Sequence, residues 1–130
     1  MKDSSQQYTT QEKVALYQLV RPFLEDMTDE FKELSKKKPD TALSINKVKM
    51  VNRLLESCRK VLEEEKSLQF LDLIDEDNIP QNSDVVLMLS QYVVAMGKFR
   101  SNYYDTEAAE DDLFRLGDQY KDRWFTHPDT

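Results

Sequence analysis

The chain is poor in the residues that usually build covalent, metal or phosphate-binding sites. It has one cysteine, one histidine and two glycines among 130 residues. Because a disulfide within the chain or a thiolate zinc site needs a pair of cysteines, the single Cys58 excludes both. With only Gly97 and Gly117, the sequence also lacks the glycine-rich loops GxGxxG and GxxxxGK(S/T) that hold nucleotide phosphates.

Long apolar segments are missing as well. No stretch approaches the ~18 consecutive apolar residues that a membrane-spanning helix needs. The first ten residues, MKDSSQQYTT, lack the apolar core of a signal peptide, and from this we expect a cytoplasmic location. Apolar residues make up 39% of the chain and charged residues 33%, a balance typical of soluble globular proteins. We therefore expect residues 1–130 to form one domain.

The sequence does contain apolar residues at helical spacing, and they occur in four segments. The predicted helices span about 10–37, 42–66, 83–104 and 106–125, with a short helical element at about 67–75. No segment shows the alternation of apolar and polar residues that is typical of a half-buried strand. The sequence therefore predicts an all-α fold, an antiparallel four-helix bundle with a short extra helical element between helices 2 and 3.

Local signals support these helix boundaries. Thr10 and Ser83 are predicted N-caps, because a side-chain hydroxyl there can accept from a free backbone N–H of the first turn. The second helix is expected to start near Thr41 or Ser44. Pro22 removes one backbone hydrogen bond from the first helix, but the apolar stripe continues across it. We therefore predict a kink at Pro22 rather than an end of the helix.

Charge is distributed unevenly along the chain. The formal net charge is −7, from 18 basic and 25 acidic residues. Residues 36–60 contain eight basic and two acidic side chains, whereas residues 61–80 contain one basic and seven acidic ones. These segments are either solvated surfaces or a docking surface for an acidic partner. A second copy of the chain could also pair its basic end with the acidic end of the first.

Nucleic acid is a poor candidate for that acidic partner. The residues outside 36–60 carry a strong excess of negative charge that would repel a polyanion, and no aromatic residue for base stacking lies between Lys36 and Lys60. The reverse hypothesis, an acidic inhibitor that mimics nucleic acid, is supported only by the sign of the charge.

The sequence offers little support for an enzymatic function. A di-iron bundle needs two Glu-x-x-His pairs, and the only histidine is His127. All-helical nucleotide pyrophosphohydrolases bind magnesium through Glu-x-x-Glu on one helix and Glu-x-x-Asp on the next. Glu30 and Glu33 supply the first half, but Glu56 is followed three residues later by Arg59. A metal-dependent hydrolase of this kind is an alternative; we predict a non-enzymatic protein with no catalytic, cofactor-binding or metal-binding residues.

Aromatic and basic residues are the remaining candidates for a functional surface. Trp124 and Phe125 are adjacent, so on a helix both cannot point fully into the core. Either they close the core, or one of them is exposed as an anchor for a partner. An antiparallel arrangement should place them at the opposite pole from Tyr103 and Tyr104. The third helix is apolar nearly all round, which indicates either complete burial or self-association. The predicted partner-binding residues are Lys36, Lys37, Lys38, Lys47, Lys49, Arg53, Trp124 and Phe125.

These observations predict a protein-protein interaction module, in the role of an adaptor, regulator or small subunit. Its expected partner is another protein, with a homodimer as one form of that interaction.

Overall fold

The fold was analysed in a computed structural model, which describes residues 6–105 and 124–128. Within these ranges the chain forms α1 (Gln11–Lys37), α2 (Ile45–Val61), a 3-10 helix (Lys66–Phe70) and α3 (Asn82–Tyr103). No strand occurs among these residues beyond three isolated bridges. The prediction of an all-α fold is therefore confirmed.

The prediction of a four-helix bundle is wrong for the part of the chain described, which contains three α-helices. The predicted helix 106–125 lies outside the described residues except for Trp124 and Phe125. Those two residues are extended: Trp124 forms a bridge with Tyr104, and the Phe125 N–H donates to the Tyr103 carbonyl at 2.7 Å. Because this N–H is bonded to another segment, it is not available for a helical bond.

The predicted N-cap at Thr10 is confirmed, and the N-cap of α2 is Ser44, one of the two residues near which this helix was expected to start. The Thr10 hydroxyl accepts from the Lys13 N–H at 3.1 Å, and the Ser44 hydroxyl accepts from the Lys47 N–H at 3.2 Å. Each bond satisfies a backbone donor that the first turn of a helix leaves free. Pro22 lies inside α1, and the helix continues through it without ending, as the apolar stripe predicted.

Two other boundaries differ from the prediction. The Ser83 cap is wrong, because α3 is capped at Gln81 and the Asp84 carboxylate accepts from the Gln81 N–H at 3.1 Å. The second helix ends at Val61 rather than near residue 66. A turn follows it, in which the Glu65 N–H donates to the Leu62 carbonyl at 2.8 Å.

The start of α3 is tied to the turn between α1 and α2. The Asn82 side-chain amide donates to the Lys38 carbonyl at 2.8 Å, and its backbone N–H donates to the Thr41 carbonyl at 3.0 Å. The Leu43 N–H donates to the Pro80 carbonyl at 3.1 Å. Consequently α2 and α3 begin at the same end of the molecule and run parallel to each other, both antiparallel to α1. A fully antiparallel order of successive helices is therefore wrong.

A non-helical segment, residues 71–81, makes this parallel order feasible by returning along α2; it includes a turn in which the Asn78 N–H donates to the Asp75 carbonyl at 3.1 Å. The Arg59 guanidinium donates to the Leu71 carbonyl at 2.6 Å. Further along, the Asn52 amide donates to the Ile74 carbonyl at 2.9 Å and accepts from the Ile74 N–H at 2.8 Å. We call residues 71–81 the strap. Only residues 66–70 of the predicted helical element 67–75 are helical, and they form a 3-10 helix.

The strap fills the space between α2 and α3, which contact each other directly at few points, whereas α1 packs against both. The Tyr92 hydroxyl donates to the Asp72 carbonyl at 2.9 Å, joining α3 to the strap. Leu71 and Ile74 of the strap are buried with the apolar faces of the three helices. No helix among residues 6–105 and 124–128 combines the length and apolarity needed to cross a bilayer.

Candidate protein interface

The side of α3 that faces away from the core carries exposed apolar side chains. Leu87 is 63% exposed and Val94 is 72% exposed. They are two helical turns apart and so lie on the same side of α3. The opposite side of α3, which includes Leu89, Tyr92 and Phe99, is buried. α3 therefore has two apolar sides, and the described part of the chain covers one of them.

A regular stripe contains these two residues. Its members are all exposed and follow one another at intervals of 3, 4, 3 and 4 residues: Asp84, Leu87, Gln91, Val94 and Lys98. This is the spacing of a coiled-coil seam, which places successive side chains in line along one side of a helix. We call these five residues the outer seam. It begins with a negative charge and ends with a positive one.

Phe70, at the end of the 3-10 helix, enlarges this apolar surface. Its side chain is 72% exposed. A groove of about 530 Å³ lies between the 3-10 helix and α3, and its walls include Phe70, Val94 and Lys98. Lys66 lines the same groove, so the end of the outer seam near Lys98 is basic as well as apolar. An exposed apolar surface with a polar margin is typical of a protein interface.

Two further exposed apolar side chains lie on α1. Leu19 is 63% exposed and Phe23 is 62% exposed, one helical turn apart. The exposed charged residues in line with them at helical spacing are Glu12, Asp26 and Glu30, which are all acidic, so a second copy would bring like charges together there. The outer seam is therefore the better candidate interface.

The predicted basic residues lie at the end where α1 stops and α2 and α3 begin, and along α2. All six are exposed: Lys36, Lys37, Lys38, Lys47, Lys49 and Arg53. Lys36 pairs with Glu33 at 3.0 Å. Lys47 lines a groove of about 180 Å³ between α1 and α2, next to Met27 and Met50. Lys36 lines another groove, of about 450 Å³, together with Asp29 and Glu33. The basic surface is therefore divided between separate grooves, and each contains carboxylates as well as lysines.

Trp124 lies at the other end of the molecule and packs against the core. Its ring centroid is 5.3 Å from that of Tyr17, 6.1 Å from that of Phe99 and 5.1 Å from that of Tyr104. The expectation that Trp124 and Tyr104 lie at opposite poles is wrong, because the bridge between these residues brings them together.

Phe125 takes part in joining the two ends of the described chain. Its carbonyl accepts from the Thr9 N–H at 2.9 Å, and its ring meets the Tyr8 ring edge-on at 5.9 Å. Because α1 has 27 residues, at ~1.5 Å per residue it separates this end from the Lys36–Lys38 end by about 40 Å. The eight predicted partner-binding residues therefore do not form one surface.

The carboxylates considered for metal binding do not converge. Glu30 and Glu33 are both exposed, and the ammonium group of Lys36 beside Glu33 lowers the pKa of that carboxyl. Within residues 6–105 and 124–128, no group of three or more His, Cys, Asp or Glu side chains is placed to hold a metal ion. The absence of enzymatic activity stays a prediction.

Sequence reasoning missed Phe70, Leu87 and Val94 as individual candidates. The second stripe of α3 could have been found, because its 3-4 spacing is present in the sequence beside the buried stripe. Which of the two stripes is covered depends on how α1 and the strap pack. No protein-family model, curated protein or solved structure matches this chain.

Proposed function

We propose that this protein is a non-enzymatic protein-protein interaction module that pairs with a second copy of itself through the outer seam. The observation that carries this proposal is the exposure of Leu87 and Val94, at 63% and 72%, on one side of a helix. Covering such side chains removes apolar surface from water, which stabilises an association by roughly 25 cal/mol per Å² buried before the cost of association is subtracted.

Charge complementarity favours a second copy as the occupant. In an antiparallel pair of α3 helices related by a two-fold axis near Gln91, Asp84 of one protomer faces Lys98 of its partner. Leu87 then lies opposite Val94. A two-fold contact repeats each interaction, so the pair gains two opposite charge contacts and two apolar contacts. A parallel pair would instead place like charges together at each end.

Phe70 adds apolar area beside the basic end of the seam. The seam itself spans 14 helical steps, or about 21 Å at ~1.5 Å per residue, so the shared surface is small. Small interfaces of this kind are typical of transient complexes. We therefore expect a weak dimer whose population rises with protein concentration.

Sedimentation velocity across a wide concentration range tests this pairing. We expect wild-type protein to shift from monomer to dimer, and Val94→Asp to remain monomeric because it places two buried carboxylates in the contact. Phe23→Asp is the matched control, since Phe23 is also largely exposed, at 62%, but lies on α1, and it should dimerise like the wild type. A wild-type protein that sediments as a monomer at every concentration overturns the proposal.

A charge exchange tests the antiparallel orientation. Lys98→Glu should weaken the dimer, and adding Asp84→Lys to the same chain should restore it, because opposite charges again face each other. Lys49→Glu controls for the change in net charge, as Lys49 is exposed on α2. Asp84 also caps α3, so the stability of each variant is measured by thermal melting alongside. No recovery in a folded double variant contradicts the antiparallel pair.

A further inference from the structure

A separate pocket, of about 220 Å³, lies between the first half of α1 and the end of α3. The residues of its wall that matter here are Tyr17, Arg21, Arg100, Tyr104 and Trp124. It shares no residue with the groove beside the outer seam. Its walls are rich in hydrogen-bond donors and positive charge.

Arg100 is the first of these donors. Its guanidinium lies over the ring of Tyr104, 4.0 Å from the centroid, and the side chain is half-buried. Among the residues that the structure describes, no carboxylate lies within ion-pair distance of Arg100. A guanidinium carries five N–H donors and no acceptor, and packing against an aromatic ring does not supply them with an acceptor.

Trp124 provides a second donor without an acceptor. Its indole N–H is the only buried side-chain polar atom in the described part of the chain that has no hydrogen-bond partner. An indole nitrogen can only donate. Leaving a buried donor unpaired costs roughly 1–3 kcal/mol, so a native protein is expected to provide an acceptor for it.

Arg21 adds a second positive charge. It pairs with Glu25 through Nε at 3.1 Å, so part of its charge is compensated. Both Arg21 and Arg100 act on the Tyr17 hydroxyl: burial raises the pKa of Tyr17, and the two guanidinium groups oppose that rise. The two cations therefore lie within electrostatic reach of the same hydroxyl, and the Glu25 carboxylate acts against them there.

We propose that this pocket binds an anion, a carboxylate or phosphate group, which accepts hydrogen bonds from Arg100 and the Trp124 indole and is further stabilised by Arg21. Arginine forms paired hydrogen bonds with both kinds of group. The pocket has room for such a group together with part of the molecule that carries it. This proposal does not depend on the dimer, because the two surfaces have no residue in common.

Trp124 is the only tryptophan in the chain, so its signals report on the pocket directly. Inorganic phosphate and acetate are titrated into the protein, with sodium chloride at matched ionic strength as the reference. We expect one of the two anions to cause a saturable change in tryptophan fluorescence and a downfield shift of the single indole N–H resonance. The anion that does so identifies the ligand as phosphate-bearing or carboxylate-bearing.

Arg100→Gln should weaken this binding at least about tenfold, because a charge-assisted hydrogen bond is lost. Arg21→Gln should weaken it less, since Arg21 is already paired. Lys60→Gln, an exposed change on α2 that also removes one positive charge, is the matched control and should bind like the wild type. Circular dichroism establishes that each variant is folded. The proposal is overturned if neither anion gives a saturable response in wild type, or if folded Arg100→Gln binds with unchanged affinity.

Discussion

Tyr103 shows how a single hydroxyl joins two parts of the chain. It is buried at the end of α3 and donates to the Glu65 carboxylate at 2.9 Å, in the turn that follows α2. Burial is the largest cause of a rise in the pKa of Tyr103 to about 12, and the hydrogen bond and negative charge of Glu65 add to it. The folded protein therefore holds the phenolic proton more tightly than the unfolded chain does.

A pH prediction follows for this residue. Because the folded-state pKa of Tyr103 is raised, its contribution to stability is complete below about pH 10 and is lost as the pH rises from about 10 to about 12. We expect Tyr103→Phe to lower the free energy of unfolding by about 1 kcal/mol at neutral pH. The variant should also lose less stability than wild type between about pH 10 and 12. Urea unfolding at a series of pH values measures both, and parallel curves in that range contradict the assignment.

Cys58 carries a prediction about chemical reactivity. Its side chain is fully inaccessible to solvent, and burial raises the pKa of the thiol to about 12. Since only a thiolate reacts readily, and the reagent must also reach the sulfur, we expect native protein to resist a disulfide reagent at about pH 8. The same reagent should label one thiol per chain once the protein is unfolded in urea. Rapid labelling of native protein would place Cys58 at the surface.

Among the elements, the helices could be predicted from the local pattern of apolar and capping residues, whereas the strap could not. Thr10 and Ser44 act as caps through bonds to residues three positions ahead, so their signal is contained in a short stretch of sequence. The strap is held by Asn52 and Arg59, which are distant from it in sequence. Leu71 and Ile74 are three residues apart, a spacing equally compatible with a helical turn, so the pattern alone favoured the wrong structure.

Asn52 is the residue whose loss should loosen the strap. Its amide makes both hydrogen bonds to the backbone of Ile74, and Asn52→Ala leaves that N–H and carbonyl without their partner. We expect a loss of about 1–3 kcal/mol of stability. Hydrogen exchange should become faster at residues 72–76 than in α1. Arg53→Ala, an exposed change next to Asn52, is the control and should leave both measurements unchanged.

Gly97 offers a stabilising change within α3. A β-carbon placed there meets no atom within 4 Å, and the residue is exposed in the helix. Glycine in a helix interior costs roughly 0.5–1 kcal/mol relative to alanine, because the unfolded chain loses more freedom on folding. Gly97→Ala should therefore raise the free energy of unfolding by about that amount. A lower melting temperature for Gly97→Ala would contradict the placement of residue 97 at an open, helical position of α3.

The whole molecule is closed at one end by the segment that contains Trp124. Trp124 packs on Tyr17 of α1 and Phe99 of α3, while Phe125 and His127 bond to the backbone of Thr9. We expect Trp124→Ala to lower the free energy of unfolding by roughly 2–4 kcal/mol, since it removes a large side chain from this packing. Denaturant unfolding followed by circular dichroism measures the loss. An unchanged stability would support the earlier hypothesis that Trp124 is a surface anchor for a partner.

The end of the molecule at which each aromatic residue lies cannot be predicted from helical spacing, because it depends on the direction in which each segment of the chain runs. The alternation of antiparallel helices predicted Tyr104 and Trp124 at opposite ends. Instead, the bridge between Tyr104 and Trp124 and the bond from the Phe125 N–H to the Tyr103 carbonyl bring the two rings to the same end of the molecule. The pocket beside Arg100 lies where Tyr104 and Trp124 come together.

By itself the amino-acid sequence determined the all-helical class, the extent of α1 and the cap at Thr10, and it limited the start of α2 to the region of Thr41 or Ser44, because each depends on residues within a few turns of one another. It also contained both stripes of α3. The tertiary structure alone decided that α2 and α3 run parallel with the strap between them, and which stripe of α3 stays exposed. Those features depend on hydrogen bonds and packing between residues far apart in the chain, which no local spacing encodes.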